Sequence, residues 1–157
     1  MFLANRPVVT EFHARFSAIA RTYHYILYVH PVRPALFAEA VGWYHHSVRV
    51  DLMQQAADLL LGTHDFTCFR ASECQAKTPI RTVSRAHLRA IDPYIIVELR
   101  ADAFLHHMVR NILGSLVYVG KGKFPPEWFA ELLKARNRDR AAPTFSPRSP
   151  SWTSACR

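Results

Sequence analysis

The sequence predicts an α+β domain in which helices cover one face of a mainly antiparallel sheet. Three observations carry this. Aromatic and β-branched runs are bounded by Pro, Gly and Asp; two longer segments repeat apolar residues at helical spacing; and the order of these pieces leaves too few β-α-β crossovers for a parallel sheet.

The first strand is predicted over Ile19 to Val29, with Tyr23, Tyr25, Leu27 and Val29 on one face and His24, Ile26 and Tyr28 on the other, both faces becoming buried towards its end. His30-Pro31-Val32-Arg33-Pro34 breaks it, because proline removes donors and biases its predecessor away from helix. Asp51 is placed to cap an amphipathic helix over Leu52 to Leu61, where Leu52, Met53, Ala56, Leu59 and Leu60 share a face and Gly62 ends the run. Gly62-Thr63-His64-Asp65 then reads as the helix exit, with Phe66 and Phe69 turned inward. Arg81 to Ala90 and Tyr94 to Arg100 form an antiparallel hairpin through Ile91-Asp92-Pro93. The longest helical signal spans Phe104 to Val119: at about 100° per residue, Leu105, Met108, Val109, Ile112, Leu113 and Leu116 fall in one arc. Pro125-Pro126-Glu127 opens a last helix to about Ala135, and Ala141 to Arg157, rich in Pro, Ser and Thr, reads as loop or tail.

The chain has 157 residues, half of them hydrophobic, which is enough for one domain with a core and short enough to be part of something larger. Twenty Lys and Arg against twelve Asp and Glu leave a formal charge of +8, which points to a polyanionic partner without distinguishing RNA from DNA. Three cysteines, Cys68, Cys74 and Cys156, with no C-x-x-C pair, speak against a disulfide framework or structural zinc and fit a reducing cytoplasm. No apolar run approaches the roughly 18 residues of a membrane span. A Gly-rich phosphate loop, a G-x-S-x-G elbow and a carboxylate cluster for Mg²⁺ are also missing.

Three stretches could carry chemistry. The run from Phe12 to Tyr25 interleaves Arg15, Arg21, His13 and His24 with Phe12, Phe16, Tyr23 and Tyr25; rings can stack on unpaired bases while guanidiniums meet phosphates. The competing reading is sheet packing with a solvated edge. In the helix predicted from Phe104, Arg110 lies at the border of the apolar arc one turn beyond His106, where its fork can point into a cleft towards a carboxylate or phosphate. Adjacent His106 and His107 would point about 100° apart on such a helix, a poor metal pair. In the loop after Gly62, Arg70, Lys77 and Arg81 are candidate phosphate contacts, with solvated charge as the alternative, and neighbours His64 and Asp65 are poorly placed to form a catalytic hydrogen bond.

In order, Phe12-His-Ala-Arg-Phe-Ser-Ala, Arg21-Thr-Tyr-His-Tyr, Arg33-Pro-Ala, Gly62-Thr-His-Asp-Phe, Thr78-Pro-Ile-Arg and Ala103-Phe-Leu-His-His-Met-Val-Arg-Asn-Ile resemble the tRNA pseudouridine synthase A (TruA) family, from about Phe12 to Pro147. The last motif is the most specific. The resemblance implies a C-terminal part of the pseudouridine synthase fold, a mixed, mainly antiparallel sheet flanked by helices, spanning residues 1–147. It implies a cytoplasmic, homodimeric, cofactor-free isomerase that converts uridine to pseudouridine at positions 38–40 of the tRNA anticodon stem-loop. An Asp of such enzymes starts the reaction, after the base has left the stack. By this resemblance Tyr23 stacks on the flipped base and is a candidate to deprotonate its C5, and Arg110 pairs with the catalytic Asp. Arg15, Arg21, Arg70, Lys77, Arg81, His106 and His107 are the expected RNA contacts.

Two departures stand out. The family's Gly-Arg-Thr-Asp-x-Gly-Val-His segment, which holds the nucleophilic Asp, is absent, and Asp51, Asp58, Asp65, Asp92, Asp102 and Asp139 stand in other contexts. After Thr144-Phe-Ser-Pro147, where the family has a Gly-Leu-Tyr-Leu strand, the chain reads Arg148-Ser-Pro-Ser-Trp-Thr-Ser-Ala-Cys-Arg157. The expectation is a C-terminal part inactive by itself, with 148–157 an atypical tail from a truncated or frame-shifted copy. A non-catalytic tRNA-binding module and an inactive remnant are the alternatives.

Overall fold

A computed structural model describes residues 18–36, 38 and 40–141. Arg15 and the tail after Pro147 lie outside them. β1 (Arg21–Val29), β2 (Gly42–Tyr44), β3 (Gly62–Asp65), β4 (Ile80–Ile91) and β5 (Tyr94–Ala101) form one sheet in the order β2-β1-β5-β4-β3. β1 pairs with β2 in parallel and every other pair is antiparallel, so the sheet is mixed. α1 (Val50–Asp58), α2 (Met108–Gly120) and α3 (Trp128–Ala135) complete the α+β architecture.

The hairpin β4–β5 pairs Ile91 with Tyr94 and Leu88 with Val97. A bulge between Val83 and Arg85 shifts the alternation by one, so Val83, Ala86 and Leu88 all reach the core although their spacing breaks the two-residue period. With Leu27, Ile95, Val97, Leu99 and Ala101 they form the covered face, which shares one cluster with Met53, Ala56, Met108, Ile112, Leu116, Phe129 and Leu132 of the helices. Among the described residues no helix covers the opposite face. β1 is therefore not buried on both faces near its end: Leu27 is fully buried whereas Ile26 is 38% exposed.

Gly62–Asp65 is not a helix exit but an edge strand, since the long β4 offers it partners, Thr63 opposite Thr82 with their hydroxyls 2.9 Å apart. Gly62 adopts φ 101°, a left-handed turn that suits glycine. α1 also begins earlier than its periodicity suggested; Arg49 takes the cap position and Asp51 lies in the first turn, paired with Arg49 at 2.8 Å.

α2 differs most from expectation. It starts at Met108, because Phe104 to His107 form a non-helical strap in which His107 has φ 57°. From Asn111 to Gly120 every residue is buried, including polar Asn111 and Ser115. A one-sided stripe is insufficient for a helix with neighbours on several sides: α1 and the 3-10 turn Thr67–Phe69 both pack on α2. Close approach explains Gly120, where a Cβ would sit 2.7 Å from Met53 Sδ.

Candidate active site

The strap and the first turn of α2 face the exposed start of β1 across an open cleft of about 480 Å³. Tyr23, Tyr25, Phe104, Leu105, His106, His107, Met108, Val109 and Arg110 line it. Tyr23 lies on the same strand face as Leu27 and beside buried Leu99, but β2 pairs only with Leu27–Val29, and Tyr23 remains 49% exposed. Its ring meets Phe104 edge to face, with centroids 5.0 Å apart and planes at 87°. Such a pair fixes the ring while leaving part of its surface open.

The strap is held from behind. Ala71 donates its N–H to the His106 carbonyl at 3.2 Å, and the His106 N–H donates to Cys74 Sγ at 3.4 Å. Arg70 braces the same loop by donating to the carbonyls of Cys74 and Ala76. The left-handed backbone at His107 turns the chain sharply into α2. For a residue with a Cβ this is a costly conformation, of the kind that concentrates at functional sites.

The two histidines are not spread over a helix surface. Their rings lie 3.9 Å apart, centroid to centroid, with planes at 34°. Burial pushes the His107 imidazole below its usual range, and the nearby His106 and Arg110 push it further, against a smaller pull from Glu73. A neutral ring at the cleft wall is the consequence. Burial likewise pushes the Tyr25 hydroxyl up to about 12, with the Arg110 guanidinium opposing.

Arg110 is exposed and, among the described residues, forms no ion pair. No Asp or Glu is among the cleft-lining residues. Five carboxylates are engaged elsewhere: Asp51 by Arg49, Asp58 by Gln54, Asp65 by Thr67 and Arg136, Glu98 by Arg85, and Asp102 by the N–H groups of Thr82 and Ala103. A guanidinium with an open fork at the mouth of an aromatic-lined cleft is suited to a bidentate anion. No group of three or more metal-ligating side chains occurs among the described residues.

Of the residues singled out in the sequence, the fold brings Tyr23, His106, His107 and Arg110 together. Arg21 stands at the same end of the sheet and reaches the Asp102 carbonyl at 3.4 Å. Arg70 sits behind the strap. Lys77 is exposed in the supporting loop, while Arg81 lies opposite His64 near the β3 edge, outside the cleft lining. His64 and Asp65 do not pair: His64 Nε2 contacts the Leu61 carbonyl at 2.8 Å, and Asp65 accepts from the Thr67 hydroxyl at 2.6 Å.

Sequence reading missed Phe104 as the partner of Tyr23, and it missed Asn111. The latter is fully buried; its Nδ2 donates to the Phe69 carbonyl at 2.8 Å and its Oδ1 accepts from Arg138 at 3.3 Å. A polar residue directly after Arg110 in a mostly apolar helix was the available signal.

A family model described as tRNA pseudouridine synthase matches residues 56–155. The chain belongs to the tRNA pseudouridine synthase family. Curated relatives carry the name tRNA pseudouridine synthase A. That of Paraburkholderia phytofirmans is 55% identical over 142 residues, covering 90% of this chain and 53% of the relative. That of Paraburkholderia xenovorans is 54% identical with the same coverage, and one from Burkholderia mallei is 52% identical. The chain thus spans about half the length of the curated relatives it matches. The five-stranded sheet with its helices is the corresponding part of the α+β pseudouridine synthase fold. No helix among the described residues is long and apolar enough to cross a membrane.

Proposed function

We propose that this chain forms two walls of a tRNA pseudouridine synthase active site, which isomerises uridine to pseudouridine in the anticodon stem-loop. The carrying observation is the convergence of Tyr23 and Arg110 on one cleft in a chain of this family. Tyr23, with its ring braced by Phe104, stacks on a base turned out of the helix and accepts or relays the C5 proton. Extruding the base costs a few kcal/mol, which the stacking surface of Tyr23 and polar contacts in the cleft offset. Arg110 holds the catalytic carboxylate in its ionised form through a charge-assisted, bidentate pair. Low polarity around Tyr25, reflected in its raised pKa, strengthens that pair.

The carboxylate comes from a Gly-Arg-Thr-Asp segment outside residues 1–157. On this reading the chain by itself binds tRNA without turning it over. The proposal extends to residues 1–147 as the family portion, with 148–157 a tail, to a cytoplasmic setting, and to a homodimeric full-length enzyme. Arg15, Arg21, Arg70, Lys77, Arg81, His106 and His107 are its proposed RNA contacts, Arg70 acting mainly by bracing the strap.

Tritium release from C5-labelled tRNA tests the assignment. The chain alone is expected to release none, and a mixture with an N-terminal polypeptide carrying the Asp is expected to release it. Turnover by the chain alone would refute the assigned division of the site. A non-catalytic module is the second reading, favoured by the lack of a carboxylate among the described residues that line the cleft; it predicts binding without reconstitution.

A further inference from the structure

The face of the sheet turned away from the helices is ordered into rows by the strand register. Thr22, Arg100 and Arg85 form the first row, His24, Glu98 and His87 the second, Ile26, Ile96 and Arg89 the third, and Tyr28, Tyr94 and Ile91 the fourth. Charge and apolarity separate along it. The first two rows carry Arg85, Arg100, His24 and His87 around Glu98, which is already bound to Arg85 at 3.0 Å, and the third row adds Arg89 beside Ile26 and Ile96. The far end is apolar, with Ile26, Ile91 and Tyr94 at 38%, 47% and 38% exposure. Arg89 and Arg100 are exposed and form no ion pair among the described residues.

The basic end adjoins the cleft. Tyr23 pairs with Leu99 in the row next to Thr22–Arg100, so one step along β1 passes from the cleft wall to the open face. A concavity of about 500 Å³ marks this end, lined by Ile19, Ala20, Thr82, Ser84, Arg85, Arg100 and Asp102. Asp102 is its acidic group, and one oxygen of that carboxylate is held by the N–H groups of Thr82 at 3.1 Å and Ala103 at 2.6 Å.

We infer that the basic rows of the open face are a second RNA-backbone contact, continuous with the cleft around the end of β1, with Arg89 and Arg100 as phosphate ligands. This rests on the tRNA reading above. A nucleic-acid strand leaving the cleft meets Arg100 first and Arg89 two rows on. A second copy of the chain is disfavoured at this end, because a two-fold pairing would bring like charges together with Glu98 already engaged. A protein partner would instead use the apolar rows.

The test is the affinity of the chain for a full-length tRNA transcript across a salt series, for the unaltered chain, the double variant Arg89→Ala/Arg100→Ala, and Arg89→Lys/Arg100→Lys. Each phosphate contact contributes about 0.7–0.9 to the slope of log affinity against log salt. The alanine pair is therefore expected to flatten the slope by about 1.4–1.8, whatever the tRNA sequence, and the lysine pair to keep most of it. An unchanged slope in the alanine pair, with the unaltered chain binding, overturns the inference and leaves the tRNA reading standing. An unchanged slope with an altered sedimentation coefficient overturns it in favour of a protein interface. Failure of the unaltered chain to bind tRNA removes the tRNA reading and the inference with it.

Discussion

Replacing Asn111 with Ala probes the joint between the core and the candidate site. The side chain is fully buried in α2, next in sequence to Arg110. Its amide supplies a donor to the Phe69 carbonyl at 2.8 Å and an acceptor to Arg138 at 3.3 Å. Leaving a buried carbonyl without its donor costs about 1–3 kcal/mol, and the small cavity adds to this. The Arg138 contact is half-exposed and adds less. A total of about 2–4 kcal/mol follows. With a urea dependence of about 1–3 kcal/mol per molar, the unfolding midpoint should fall by roughly 1–2 M at unchanged slope. Asn111→Asp separates the two bonds: it keeps an acceptor for Arg138 but turns an acceptor towards Phe69. It should be destabilised at neutral pH and recover as acid protonates the new carboxyl. Urea unfolding followed by circular dichroism reads all three proteins. An alanine variant that unfolds at the unaltered midpoint would refute the reasoning that this amide locks the start of α2.

Gly120→Ala should cost about 1–3 kcal/mol by the same measurement, because the new methyl meets Met53 Sδ at 2.7 Å in a packed interior. Asp65 is held below its ordinary value of 3.8: burial raises it, but hydrogen bonds from the Thr67 side chain and N–H, with Arg136, outweigh that. A depressed acid contributes stability that is present above its unfolded value and lost as pH falls; Asp65→Asn should flatten the acid limb of the stability curve. Tyr25 shows the opposite sign. Its hydroxyl rises from 10.0 to about 12, so the unfolded chain loses the proton first and stability should fall as pH climbs between those values. Tyr25→Phe should remove that alkaline loss, read as thermal midpoint against pH.

What the sequence revealed follows from which forces are local. The β4–β5 hairpin, α3 and the inward-facing Phe66 and Phe69 were legible because alternation, proline placement and helical spacing act within a few residues. Two features were not. Edge strand Gly62–Asp65 owes its form to a distant partner, Thr82 and its neighbours, and has little strand preference of its own. The strap before Met108 is fixed by Ala71 and Cys74, more than thirty residues away in sequence, so a continuous helical pattern from Phe104 overran it. That displacement moved His106 and His107 off the helix and into a close pair, while leaving Arg110 in the cleft. Tyr23 was legible as a residue type on a strand; its exposure came only with the sheet, in which β2 pairs with Leu27–Val29 alone and the start of β1 is flanked on one side by β5.

Tyr23 and Arg110 are proposed to wall a site completed by a carboxylate that lies outside residues 1–157. This proposal is tested most directly by single-turnover tritium release from C5-labelled tRNA with the chain and an Asp-carrying polypeptide mixed, comparing the unaltered chain with Arg110→Ala. The account predicts release that depends on both polypeptides and falls by several powers of ten in Arg110→Ala, with tRNA binding retained. Full release with Arg110→Ala, or release by this chain alone, would contradict it.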